Sequence, residues 1–203
     1  PYMFISERPY SAMYRLVFFA TLAIEISRAI LLPKQPTTTL PFIGIANASS
    51  VHLDDFPAPL YNIKLEPIWS ELGINSKDYV EQVWWPDMKK FASENDITLT
   101  AYACFDYNVR SVPPFTFNEW DAFERSDEQG NKIKNSSFLG RDLIANGHEM
   151  ALHGYNHVSL LKEEWTESDY MVTALQTAMK KWNLAGFGPP PVSYVPPSNY
   201  IDS

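Results

Sequence analysis

From Ser50 onward, short apolar strand-like runs alternate with helix-length stretches, and the strand-like runs stop on polar clusters. Ser50 to Leu53 runs straight into Asp54-Asp55. Ser76 to Asn95 reads as helical, with Pro86 either starting its main part or kinking it. Ile97 to Phe105 (ITLTAYACF) is the clearest strand, alternating β-branched and aromatic residues. A polar excursion over 119–135 precedes a short helix over Ser137 to Asn146, with Gly147 placed as its C-cap residue. Glu149 to His153 is a further strand, Thr166 to Trp182 a further helix, and Val192 to Val195 a last short strand after the proline run 189–191. Acidic Glu167 and Asp169 near the start of that helix and Lys180-Lys181 near its end suit its dipole. Strand and helix alternating at this spacing predict an α/β fold with a mainly parallel sheet and helices outside it.

Upstream, residues 16–32 (LVFFATLAIEISRAILL) form an apolar stretch interrupted by Glu25 and Arg28. It is too short between charges to span a bilayer, which needs ~20 apolar residues, and no small-residue cleavage site follows it. A buried helix ended by Pro33 and Pro36 is expected there, followed by a connection over 34–48. Residues 1–47 are therefore read as a leading helical segment and linker, and 48–203 as the functional domain. Sixteen basic against twenty-four acidic residues, a net charge of −8, argue against a nucleic-acid partner. A single cysteine excludes a disulfide framework and any cysteine-rich zinc or iron–sulfur site.

Chemistry must therefore come from other residues, and parallel α/β proteins place their sites at strand ends. The first cluster is His52-Leu53-Asp54-Asp55-Phe56-Pro57. Two neighbouring carboxylates repel, so a cation on one lets the other stay ionised as a base; a plain turn is the competing reading. The second is His153-Gly154-Tyr155-Asn156-His157. Histidines four apart suit a shared metal, although Gly154 and Asn156 favour a strand-to-loop turn over a helix. His148-Glu149 invites comparison with the HExxH metalloprotease motif, but the next histidine, His153, is five residues on and would not share a helix face. Two imidazoles and one carboxylate, with water completing the shell, make a catalytic zinc-type set.

The segment Gly147 to His157 (GHEMALHGYNH) resembles the G-H-E-[IV]-x-x-H-[ST]-x-x-H motif of the NodB-homology polysaccharide deacetylases, the carbohydrate esterase family 4 group. His52-Leu53-Asp54-Asp55 is similar to that family's T-F-D-D motif, and Tyr194 to Asn199 (YVPPSN) to its F-R-P-P-[YF]-G motif. The resemblance implies a distorted (β/α)7 barrel, of which this chain would be an incomplete piece. It implies removal of N- or O-acetyl groups from an acetylated polysaccharide, in the extracellular space or the cell envelope or periplasm. Asp54 would be the general base. Asp55, His153 and His157 would hold one divalent metal, zinc first, with cobalt, nickel or manganese as alternatives. Ser198 would offer its backbone N–H to the oxyanion, Pro196 and Pro197 would shape the groove wall, and His52 would contact substrate or support Asp54.

The departures from the family pattern are specific. Val195 replaces the arginine that supports the base, Gly154 replaces serine or threonine, and Ser198 stands at an aromatic position. The histidine that serves the family as general acid has no counterpart up to residue 203, and His148 matches a structural position. Two other readings stay open: a carbohydrate-binding domain that keeps the fold without turnover, and a glycoside hydrolase using Asp54 with Glu149. Trp84, Trp85, Tyr107, Phe115, Trp120 and Tyr155 are candidate sugar platforms, with core packing the stronger expectation for each. Cys104 is read as a small buried hydrophobe.

Overall fold

A computed structural model describes residues 51–58 and 61–202. The expected helix at 16–32, the connection at 34–48 and the division at residue 47 lie outside the described residues. In chain order the elements are β1 (Val51–Phe56), α1 (Ile68–Leu72), α2 (Ser76–Tyr79), α3 (Trp85–Glu94), β2 (Leu99–Ala103), β3 (Glu124–Ser126), β4 (Lys132–Lys134), α4 (Asn135–Ala145), β5 (Glu149–Leu152) and α5 (Ser168–Ala185).

The expected parallel arrangement is present. β1, β2 and β5 form a three-stranded sheet in the order β1-β2-β5, parallel throughout. The fold is thus mixed α/β with a parallel sheet, and no closed barrel exists among the described residues. One face of the sheet carries Val51, Leu53, Phe56, Leu99, Ala101, Ala103, Met150 and Leu152, all buried. That face shares a core with Trp85, Met88 and Ala92 of α3, Leu139 and Leu143 of α4, and Ala174, Ala178, Trp182 and Ala185 of α5. Each large apolar side chain buried there contributes roughly 1.5–3 kcal/mol. On the opposite face, His52, Thr100 and Glu149 stand side by side in register. Thr100 Oγ1 donates to Glu149 Oε2 at 3.0 Å and Ser193 Oγ to Oε1 at 2.7 Å, so both oxygens of that carboxylate are engaged.

The helical stretch before Glu94 contains a π-turn at Val80–Trp84, directly ahead of Pro86 at the first turn of α3. Proline has no N–H for the preceding turn and its ring crowds the carbonyl there, so one wide turn absorbs the mismatch and the helix continues. α2 starts on Asn75, whose side chain accepts the Asp78 N–H at 2.8 Å. α4 begins two residues earlier than expected and Gly147 follows its end with φ +81°. α5 extends past Trp182 to Ala185 and stops on Gly186 at φ +76°, where Phe187 N–H returns to the Trp182 carbonyl at 3.4 Å.

Two expectations are corrected. The 119–135 stretch is not merely a surface excursion: Trp120 is buried against Phe105 with its indole N–H on Ser137 Oγ, and β3 pairs antiparallel with β4. The polar residues of that stretch ride on the hairpin while Trp120, with the partly buried Phe123, anchors it to the core. The last strand, Val192 to Val195, is reduced to one parallel bridge between Leu152 and Tyr194. Prolines at 189–191 and 196–197 flank it and lack the N–H groups a longer ladder needs.

Candidate metal centre

Both acidic residues of the first cluster owe their placement to an irregularity in β1. The pairing with β2 runs Leu53↔Ala101 and resumes at Phe56↔Ala103, so β1 carries one extra residue between those points. Strict alternation would send Asp55 into the core after Val51 and Leu53. The bulge instead returns Phe56 to the core, 1% exposed, leaves Asp54 exposed, and holds Asp55 at φ +58°. A left-handed non-glycine residue costs of order 1–3 kcal/mol, a strain that concentrates at functional positions. His157 at φ +55° and Ser198 at φ +57° share it.

Asp55 meets the two histidines that follow β5. Its Oδ1 lies 3.7 Å from His153 Nε2 and 3.6 Å from His157 Nε2. One donor atom from each of the three residues falls within 4.8 Å of the others. His153 is rigidly held: its N–H donates to the Ala103 carbonyl at 2.8 Å, and its Nδ1 lies 2.9 Å from the Val195 carbonyl. An Nδ1–H donating to that carbonyl fixes the tautomer in which Nε2 is a free ligand atom. Val195 therefore contributes through its backbone, which its apolar side chain does not affect.

Asp55 Oδ1 is also buried without a hydrogen-bond partner. Leaving a buried acceptor unpaired costs ~1–3 kcal/mol, and a cation between the three donors would remove that cost. A carboxylate oxygen and two imidazole nitrogens are the donor set that zinc and related divalent metals take, with further positions left for water. The residues present thus fit the metal.

Tyr107, just past β2, was read from sequence as a candidate sugar platform. Its hydroxyl donates to the Asp55 carbonyl at 3.2 Å, and its ring stacks on His157 at 6.3 Å and 23°. Burial first, then Cys104 and Asp55, keeps the phenol well above its usual range, so it is a donor. Tyr107 N–H is shared by Asp106 Oδ1 at 2.9 Å and Glu119 Oε2, while Tyr61 Oη donates to Glu119 Oε1. Burial, with a hydrogen bond to Glu119 second, pushes the Asp106 carboxyl up to about 6. Cys104 is buried as expected, its Sγ 3.1 Å from the Asp106 carbonyl, and burial raises the thiol far above its usual range.

Asp54 lies outside the three-donor group, exposed beside it. On β2, the Tyr102 phenol is raised by burial, then by Glu149 and Asp54. His52 is exposed and packs edge-on against the Tyr102 ring at 5.2 Å. Pro197 is buried against Gly154, where an added Cβ would come 3.3 Å from Pro197 Cγ. With φ at +100°, Gly154 occupies backbone space closed to the serine or threonine of the resembling motif. Pro196 and the exposed Ser198 continue the same short turn. His148 stands at the opposite end of β5, its Nδ1 3.4 Å from the Leu99 N–H, and burial lowers its pKa. Trp85, Trp120 and Tyr155 are core residues, whereas Trp84, Tyr107 and Phe115 are partly exposed. Sequence reasoning missed the roles of Asn156 and of the Asp106 and Glu119 pair, which only contacts across the chain define.

A family model described as an uncharacterised protein conserved in bacteria (DUF2194) matches residues 25–203. No curated protein matches the chain. Among solved structures, a mutant of a CE4-family pseudoenzyme with restored enzymatic activity matches at 11% identity and a TM-score of 0.44, over 75% of this chain. The chain spans 37% of the length of that structure.

Proposed function

We propose, for a chain that belongs to the DUF2194 family of uncharacterised bacterial proteins, that its domain is a metal-dependent hydrolase removing acetyl groups from a polysaccharide. The observation that carries this reading is the convergence of Asp55, His153 and His157 around a buried carboxylate oxygen that has no other partner. On this reading the three-stranded sheet is part of a distorted (β/α)7 barrel, and the protein works outside the cytoplasm on envelope or extracellular glycan. No helix among the described residues is long and apolar enough to cross a membrane.

Asp55, His153 and His157 would hold one divalent ion, which when bound polarises an acetyl carbonyl and acidifies water. Asp54, exposed beside them, takes the proton of the attacking water as its oxygen bonds to the acetyl carbon. The turn at Pro196, Pro197 and Ser198 bounds the groove and directs a backbone N–H toward the developing oxyanion. His52, on the same sheet face as Asp54, contacts substrate. The acyl carbon–nitrogen or carbon–oxygen bond then breaks as the leaving nitrogen or oxygen takes up the proton held by Asp54, releasing acetate and the deacetylated sugar.

A second reading is favoured by Val195, which leaves the base without the arginine of the resembled deacetylase motif: a carbohydrate-binding domain that keeps the metal but not turnover. The glycoside hydrolase reading loses ground because both oxygens of Glu149 are engaged. Acetate release from acetylated chito-oligosaccharides and acetylated xylan, with and without chelator, separates the three. The deacetylase reading requires release that chelation abolishes, and Asp54→Asn must keep the metal and lose release. Metal bound without release from any acetylated glycan establishes the second reading, and chain cleavage indifferent to chelator establishes the third.

A further inference from the structure

His153 is 3% exposed and its side chain is fixed by a hydrogen bond to the Val195 carbonyl, whereas among the described residues the side chains of Asp55 and His157 have no hydrogen bond of that kind. The side chains of Asp55 and His157 are 36% and 33% exposed, and both sit on left-handed backbone. A strained, half-exposed donor relaxes out of place unless its surroundings over-determine it.

We propose that Tyr107 is the positioning residue of the metal centre, a strap that holds Asp55 through its hydroxyl and His157 through its ring. The inference rests on the metal-binding reading above. The phenol hydroxyl meets the bulged carbonyl of Asp55 at 3.2 Å, and that carbonyl otherwise accepts from Ala58 N–H. The nearly parallel ring backs the His157 imidazole, limiting its rotation away from Asp55.

A strap works only if its own ends are fixed, and both are. Tyr107 N–H is gripped by Asp106, 1% exposed, and by Glu119, which Tyr61 holds in turn. On the other side, the buried amide of Asn156 donates from Nδ2 to Asn108 Oδ1 at 3.0 Å and to the Arg110 carbonyl at 2.5 Å. Asn156 lies between the two metal-site histidines in sequence, so the segment after Tyr107 is tied to the very turn that carries them. Partners that orient metal ligands typically change affinity by about 10- to 100-fold when removed.

The test is equilibrium titration of the metal-free full chain with Zn²⁺ and Co²⁺, with the visible spectrum of the cobalt form as reporter. Tyr107→Phe removes only the hydroxyl and should weaken binding ~10-fold, leaving the metal-free melting temperature unchanged and altering the cobalt spectrum. Tyr107→Leu removes the ring as well and should weaken it further. Wild-type affinity and spectrum in Tyr107→Phe would overturn the strap. So would a weakened affinity matched by an equally destabilised metal-free protein, since the effect would then be general folding. A wild-type chain that binds neither ion sinks the metal reading itself.

Discussion

Asp55→Asn gives a stability test of the metal centre that needs no knowledge of the substrate. In the wild type the Asp55 oxygen between His153 and His157 is buried and unpaired. A ligand that binds only the folded state, present at 100 times its dissociation constant, adds about 2.7 kcal/mol. A domain of this size moves its midpoint by about 2–4 °C per kcal/mol, so saturating zinc or cobalt should raise the wild-type midpoint by ~5–11 °C. Asparagine keeps the volume but offers a neutral, weaker ligand atom, so most of that rise should vanish. Without metal the order changes. Replacing a half-exposed carboxylate whose one buried oxygen is unpaired, an isolation that costs ~1–3 kcal/mol, should leave the metal-free variant at least as stable as the metal-free wild type at pH 8. Thermal melts followed by circular dichroism, with added metal or with chelator, read both comparisons. The reasoning fails if the wild-type midpoint ignores metal, or if Asp55→Asn is destabilised in chelator.

Asp106 is pushed up to about 6 from an ordinary carboxyl value of 3.8. A raised folded-state pKa means the contribution is complete below pH 3.8 and is lost as pH rises through about 6. Asp106→Asn should flatten the fall in urea-unfolding stability between pH 4 and 7; an unchanged slope would show that another group causes it. Gly140 sits in α4 with its missing Cβ only 2.5 Å from Phe187 Cε1. Gly140→Ala should therefore cost ~1–3 kcal/mol through overpacking, measured as a lower urea midpoint, and Phe187→Leu in the same chain should restore part of it. A silent Gly140→Ala would mean that Phe187 moves aside freely.

Local pattern carried much of this architecture. The runs at 51–56 and 99–103 announce themselves by β-branched and aromatic content, 149–152 by a short apolar run, and the helices by length and, for α4, by the stop residue Gly147. Those signals are local, since propensity and turn chemistry act over a few residues. The donor types were also legible as two histidines and one carboxylate at strand ends, while the choice of Asp55 over Asp54 came from the resemblance of its motif. Sequence could not show that β1 contains a bulge, although the bulge is what diverts Asp55 from the core. An alternating pattern and a bulged one differ only in pairing with β2, and pairing is set by distant residues. Nor could it show that Val195 meets His153 through its carbonyl, that Gly154 makes room for Pro197, or that Tyr107 reaches the Asp55 carbonyl and the His157 ring. These are contacts between segments many residues apart. The sequence by itself determined which chemistry was available at the strand ends, through residue type and spacing. Only the tertiary structure decided how those groups are aimed, because aim depends on backbone strain and on partners that folding alone brings within hydrogen-bond distance.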